Sequence, residues 1–250
     1  MSQRSTRNVD AALPFRAPWR AFPDVVILAS ESEVKRHLQY AAAKAGDVIA
    51  ARRLVSVFAD ADAVRRVASV LPHGRVMLAS VHAFEAEGIN RIPTVLAEFL
   101  GERLDLPVEA SIVQINRAGH TGASGYRRLA SPALFNGHVD RRRSYLLVDD
   151  FVGQGGTLAN FRGFIENRGG SAALAVTLTG KPHSAKLSLS EETLIRLRST
   201  HGSALEEWWK EVFGYGFDLL TESEARYLAR ADSAQLIRDR ILAARQGSHA

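Results

Sequence analysis

The sequence predicts an α/β protein: a mostly parallel sheet flanked by helices, with a helical segment before it and a helical appendage after it. Three observations carry this. Short apolar runs at 75–80, 110–115, 144–148 and 172–178 alternate with helical stretches. Parallel strands covered by crossover helices are buried on both faces and read as continuous apolar runs. After Thr179 only helical periodicity remains.

The elements follow in order. Residues 1–24 carry Arg4, Arg7, Arg16 and Arg20, with Asp10 the one acid before Asp24. Pro14, Pro18 and Pro23 break any helix there, so a flexible basic arm is expected, with Trp19 and Phe22 placed to pin its end. In 25–74, Val25–Ala29 is apolar and strand-like. Helices are expected over Ser32–Ala43, from an Asp47 N-cap to about Ser56, and from Asp60 or Asp62 to Leu71, ending at Pro72. The core, 75–180, opens with a strand over Arg75–Ser80. A polar loop, Val81–Arg91, and a helix from about Pro93 to Arg103 come next. A strand over Ala110–Ile115 precedes the segment Asn116–Arg143, rich in Gly, Arg, Ser and His and without periodicity. A loop of that length inside a compact domain is usually a functional lid or disordered. Then come strand Ser144–Val148, helix Thr157–Asn167 with Leu158, Phe161, Phe164 and Ile165 on one face, and strand Ala172–Leu178. The appendage, 181–250, reads as helices over Glu191–Ser199, Ala204–Phe213 and Glu222–Arg245, with a break near Asp232.

Composition excludes several classes. The 250 residues contain no Cys, which removes disulfides, thiolate chemistry and Cys-ligated zinc. The chain is 46% hydrophobic and 24% charged, which is globular rather than disordered. No apolar run approaches the ~18 residues of a membrane span, and no secretory signal pattern opens the chain. A cytoplasmic protein without a membrane partner is expected. The net charge of +5 favours anionic partners.

One stretch carries chemistry: Tyr145-Leu146-Leu147-Val148-Asp149-Asp150-Phe151-Val152-Gly153-Gln154-Gly155-Gly156-Thr157. An apolar strand runs into two adjacent acids, at the sheet edge where open α/β sheets bind ligands. Glycines let the backbone turn tightly and aim N–H groups at an anion. The next helix points its positive end at the same place. The combination suits a phosphate beside a polyhydroxylated group. Other phosphate motifs fail on register. Gly156 stands where a P-loop needs Lys, and Leu158 where the dinucleotide fingerprint needs its third Gly.

This stretch resembles the phosphoribosyl-pyrophosphate (PRPP) motif of type I phosphoribosyltransferases. The match is at Asp149, Asp150, Gly155, Gly156 and Thr157, and the likeness extends over about 75–178. The resemblance implies that Asp149 and Asp150 contact the ribose hydroxyls, and that Gly153, Gln154, Gly155, Gly156 and Thr157 cradle the 5′-phosphate. Mg²⁺ would arrive with the diphosphate, with Asp149 and Asp150 the candidate protein ligands. Gly153 departs from the family. Members of the hypoxanthine-guanine kind place an Asp there, so that substrate class is disfavoured.

The resemblance also makes Val81–Arg91 the pyrophosphate loop, with His82 and Arg91 as candidate contacts. Glu85 and Glu87 there would repel the ligand unless a bound Mg²⁺ offsets them. Residues 116–143 fall at the family's closing catalytic loop. Arg117, His120, Arg127 and Arg128 are its candidate anion contacts, with Arg127 and Arg128 assigned to catalysis. His37, Tyr40 and Lys44 share one predicted helix face, for which a surface role is favoured over base contact. Trp208, Trp209, Phe213, Tyr215 and Phe217 read as core or interface rather than a stacking platform.

The expected function is Mg²⁺-dependent transfer of ribose 5-phosphate from PRPP to a nitrogenous acceptor, with release of pyrophosphate, by a homodimer. The alternative is a PRPP- or nucleotide-binding regulatory protein of the same fold, with nucleic acid a less favoured partner. A third is an effector of a conflict or mobile-element system.

Overall fold

A computed structural model describes residues 13–82, 84–85, 88–116 and 124–246. In order, the elements are β1 (Val26–Ser30), α1 (Glu31–Arg36), α2 (Tyr40–Lys44), α3 (Val48–Phe58), α4 (Ala61–Ala68), β2 (Val76–Ser80), β3 (Phe84–Glu85), β4 (Gly88–Ile89) and α5 (Ile92–Leu104). Then follow β5 (Val108–Glu109), β6 (Val113–Gln114), α6 (Gly125–Ala130), β7 (Phe135–Asn136), β8 (Ser144–Val152), α7 (Gly156–Asn167) and β9 (Ser171–Gly180). The chain closes with α8 (Glu191–His201), α9 (Ser203–Phe213), α10 (Glu222–Ala229) and α11 (Ala234–Gln246).

Five strands form one parallel sheet in the order β1-β9-β8-β2-β5. The alternation of apolar residues along β8 sorts the layers. Tyr145 and Leu147 face Phe161, Phe164 and Ile165 of α7, while Leu146 and Val148 join Leu54, Val55, Leu96 and Leu100 of α3 and α5. The crossover after β2 uses α5 on one face, and the crossover after β8 uses α7 on the other. The chain leaves β2 toward β5, then returns to β8 on β2's opposite side, so the β2–β8 junction is the switch point where such sheets open a crevice.

Local chemistry sets many of these boundaries. Asp47 accepts from the amides of Ile49 and Ala50, and Asp60 from Ala63, which starts α3 and α4 where caps were expected. Thr221 and Glu224 form a capping box at α10.

Four expectations change. The helix expected over Ser32–Ala43 is two helices, because His37 takes an extended conformation as the cap of α1. Its residues therefore do not share one continuous face. Of the strand expected over Ala110–Ile115 only Val113–Gln114 is a strand, β6, which pairs antiparallel with β7, while the sheet takes the preceding residues Val108–Glu109 as β5. Strand β8 continues through the acids to Val152, with Asp149 paired to Thr177. Over residues 13–24 the arm is a packed strap. Arg162 binds the carbonyls of Ala17 and Pro18, the Trp19 indole N–H donates to Leu220 O, and Trp19 and Phe22 are buried. Residues 1–12 lie outside the described residues.

The C-terminal helices build their own core around Trp209, Phe213 and Phe217, joined by Leu129 and Ala130 of α6. The aromatic cluster is therefore core. Among the described residues, no helix is long and apolar enough to cross a membrane.

Candidate functional site

Strand β2 stops at Ser80, opposite Val148, while β8 runs on. Asp149 and Asp150 therefore stand past the end of β2, at the switch point. Asp150 N donates to Asp149 Oδ1 at 2.8 Å. Alternation puts Asp149 on the α7 face and Asp150 on the opposite face, beneath α2. There Lys44 Nζ donates to Asp150 Oδ2 at 3.0 Å. Both acids are buried, at 6% and 8% exposure. Burial, then the neighbouring Asp150, pushes the Asp149 carboxyl well above the usual carboxylate range. The hydroxyl of its cross-strand neighbour Thr177 is buried without a partner.

Beyond Val152 the chain makes the Gly-rich turn. Gly155 has φ +80°, a left-handed conformation, and α7 begins with no side chain capping its first turn. A side chain at Gly153 would meet Arg128 Nη1 and the Phe151 ring, each 3.1 Å from its Cβ position. Arg128, named as a catalytic candidate, is thus half-buried at this turn, and its Nε has no hydrogen-bond partner. Arg127, its neighbour on α6, is exposed. Arg117 and His120 lie outside the described residues. The part of 116–143 expected to be a structureless lid holds α6 and β7 where it is described, because Leu129 and Ala130 bury against the C-terminal helices.

The second candidate loop closes the other side. Asn90 Oδ1 accepts from Ile92 N at 3.1 Å and starts α5. Arg91 N donates to Ala43 O of α2. Arg91 Nε, Thr94 Oγ1 and Ser80 Oγ are buried without partners. His82 is half-buried; burial and then the Arg91 charge lower its pKa. Residues 83, 86 and 87, including Glu87, are outside the described residues.

Among the described residues no group of three or more His, Asp or Glu side chains could hold a metal ion. The two buried carboxylates are hard oxygen donors of the kind Mg²⁺ takes, and Mg²⁺ usually completes its shell with water and substrate phosphates. The two acids lie on opposite faces of β8 and Asp150 is engaged by Lys44, so any Mg²⁺ here would be held chiefly by a ligand's own phosphates.

Sequence reasoning placed Lys44 at the surface; the structure brings it to Asp150. It missed Arg16, Leu187, Thr221 and Glu224, which meet the Gly-rich turn from distant segments. Thr221 Oγ1 donates to Gln154 O at 2.6 Å. Leu187 fills the space beside Gly155, and Glu224 the space beside Gly156. The pattern Thr-x-x-Glu at 221–224 announces a helix start but says nothing of a partner far along the chain.

The fold and site define a parallel α/β protein with a buried carboxylate pair and a glycine turn at its switch point. No family model matches the chain. It is similar to Protein TraN of Escherichia coli, at 40% identity over 230 residues, which is 92% of this chain and 51% of that protein. It is also similar to an uncharacterized protein of Haemophilus influenzae, at 35% identity over 151 residues, 60% of this chain and 34% of that protein. The chain spans about half the length of the first relative and a third of the second.

Proposed function

We propose that the chain is a Mg²⁺-dependent phosphoribosyltransferase, with PRPP bound across the β2–β8 switch point. The observation that carries this reading is the placement of Asp149 and Asp150 beyond the end of β2, directly before an uncapped helix start at a left-handed glycine. The 5′-phosphate would take the amides of 153–157. The diphosphate would lie toward Arg91, Thr94 and Ser80, whose buried, unpartnered polar atoms support that placement. An acceptor nitrogen forms a bond to C1 of the ribose, the C1–oxygen bond breaks, and the electron pair leaves with pyrophosphate. Charge developing on the ribose would be favoured by the acids.

A second reading, a ligand sensor of the same fold, is favoured by the Lys44–Asp150 ion pair and the burial of both acids. The two separate on one experiment. Pyrophosphate release is measured with PRPP, Mg²⁺ and a panel of purine, pyrimidine and pyridine acceptors, beside calorimetric binding. The enzyme reading expects release with one acceptor, lost in Asp150→Asn while PRPP still binds, because only differential transition-state binding raises turnover. Tight PRPP binding without release for any acceptor supports the sensor. Absence of binding to PRPP, ribose 5-phosphate and nucleoside monophosphates refutes both.

A further inference from the structure

We infer that the C-terminal helices complete the anion-binding turn: Thr221 and Glu224 are positioning residues that set the shape of 153–157, so ligand occupancy and docking of α10 are linked. The ligand half of this rests on the reading just given; the linkage itself rests on geometry.

Thr221 is fully buried and its hydroxyl is used twice. It accepts from Glu224 N at 3.0 Å, as a capping residue does, and donates to Gln154 O at 2.6 Å. The second bond has no role in capping α10; it fixes a main-chain carbonyl of the turn. Glu224, 3% exposed, accepts from Thr221 N at 2.8 Å and from both terminal nitrogens of Arg16 at 2.9 Å. A Cβ added at Gly156 would sit 2.6 Å from Glu224 Oε1. Arg16 Nε donates to Asn160 Oδ1, one turn into α7, at 2.5 Å. Helix α7, the strap and α10 are therefore tied together at the first turn of α7.

Charge gives the arrangement its direction. A carboxylate beside an anion site is unfavourable unless neutralised. Arg16 supplies that neutralisation in a bidentate pair, so Glu224 brings no net negative charge to the turn. Energy shared between two sites is reciprocal. A ligand that needs this shape of the turn must also stabilise docked α10.

The test is amide hydrogen exchange, read by mass spectrometry on the full chain, for residues 153–158 and 222–229. It uses the parent, Thr221→Val, Thr221→Ser and Thr193→Val, each with and without PRPP and Mg²⁺. Thr193 donates to Glu222 Oε1 at 2.7 Å in the same helical unit, and so controls for general loosening. Thr221→Val should speed exchange at 153–158 and weaken PRPP binding, each about tenfold, the ratio one net hydrogen bond sets. Thr221→Ser should restore both, and Thr193→Val should change neither. In the parent, PRPP should slow exchange at 222–229. If Thr221→Val does not fold, Gly156→Ala presses the same contact from the turn and should speed exchange at 222–229. Parent-like exchange at 153–158 in Thr221→Val, or an equal effect from Thr193→Val, overturns the inference. Faster exchange at 153–158 in a protein that binds no PRPP upholds the linkage and removes the PRPP reading instead.

Discussion

Replacing Arg16 by Met should cost more stability than any exposed ion pair could. The side chains of Arg16 and Glu224 are 3% and 4% exposed. The substitution removes two hydrogen bonds to Glu224 at 2.9 Å, one to Asn160 at 2.5 Å and one to Leu219 O at 3.1 Å. Burial alone would make the guanidinium easier to deprotonate. Glu224 beside it more than reverses this, so Arg16 stays charged throughout the accessible pH range. Met fills much of the space but leaves Glu224 as a buried charge with no counterion. Breaking a buried pair in this way costs about 3–5 kcal/mol. For a protein of this size that lowers the melting temperature by roughly 10 °C. Circular dichroism melts and urea titrations measure it. Adding Glu224→Gln removes the orphaned charge, so the double variant should lose less than the two single losses summed. A melting temperature for Arg16→Met within about 2 °C of the parent would refute the claim that the pair joins strap, α7 and α10.

Two further outcomes follow from the same geometry. Asp149 has a folded pKa raised by burial and then by Asp150. The folded state therefore holds a proton that the unfolded state gives up, and stability falls as pH rises from the unfolded value through the folded one. Asp149→Asn should be more stable than the parent at pH 7, and this advantage should vanish below about pH 4, in urea midpoints across pH; an advantage independent of pH would contradict the assignment. Gly155→Ala puts a side chain on left-handed backbone, at roughly 1–2 kcal/mol, and a Cβ 2.3 Å from Leu187 Cδ2. Its urea midpoint should drop, and a parent-like midpoint would mean that the turn does not have this shape.

Much of the fold is legible because its signals are local. The short apolar run Tyr145–Val148, bounded by acids and glycines, reads as a strand buried on both faces, and Gly169-Gly170 marks the end of the preceding helix. Helices α8 to α11 follow from spacing alone, including the break near Asp232. The errors arise where distant contacts override spacing. The extended conformation at His37 interrupts a periodic stretch, and its ring packs edge-on against Phe58 at 5.6 Å. Residues 13–24 look free because Pro14, Pro18 and Pro23 interrupt any helix or strand periodicity. They pack because Arg162, 2% exposed, supplies donors for carbonyls that Pro14, Pro18 and Pro23 leave outside any helix. Lys44 reads as a surface residue because its partner Asp150 lies 106 residues away.

The glycines show why a motif and its setting must be read together. As a sequence, Gly153, Gly155 and Gly156 suit a phosphate cradle. In the folded chain each also has a neighbour where a side chain would go: Arg128 and Phe151 at the first, Leu187 at the second, Glu224 at the third. These two roles reinforce one another. Backbone amides converge on an anion only if the turn is held, and here it is held by groups packed where side chains are missing. The same contacts give physical content to the departure at Gly153. An acid there would need the volume now taken by Phe151 and the guanidinium of Arg128, so a cation stands over the position at which the purine-salvage enzymes whose motif this stretch resembles carry a carboxylate.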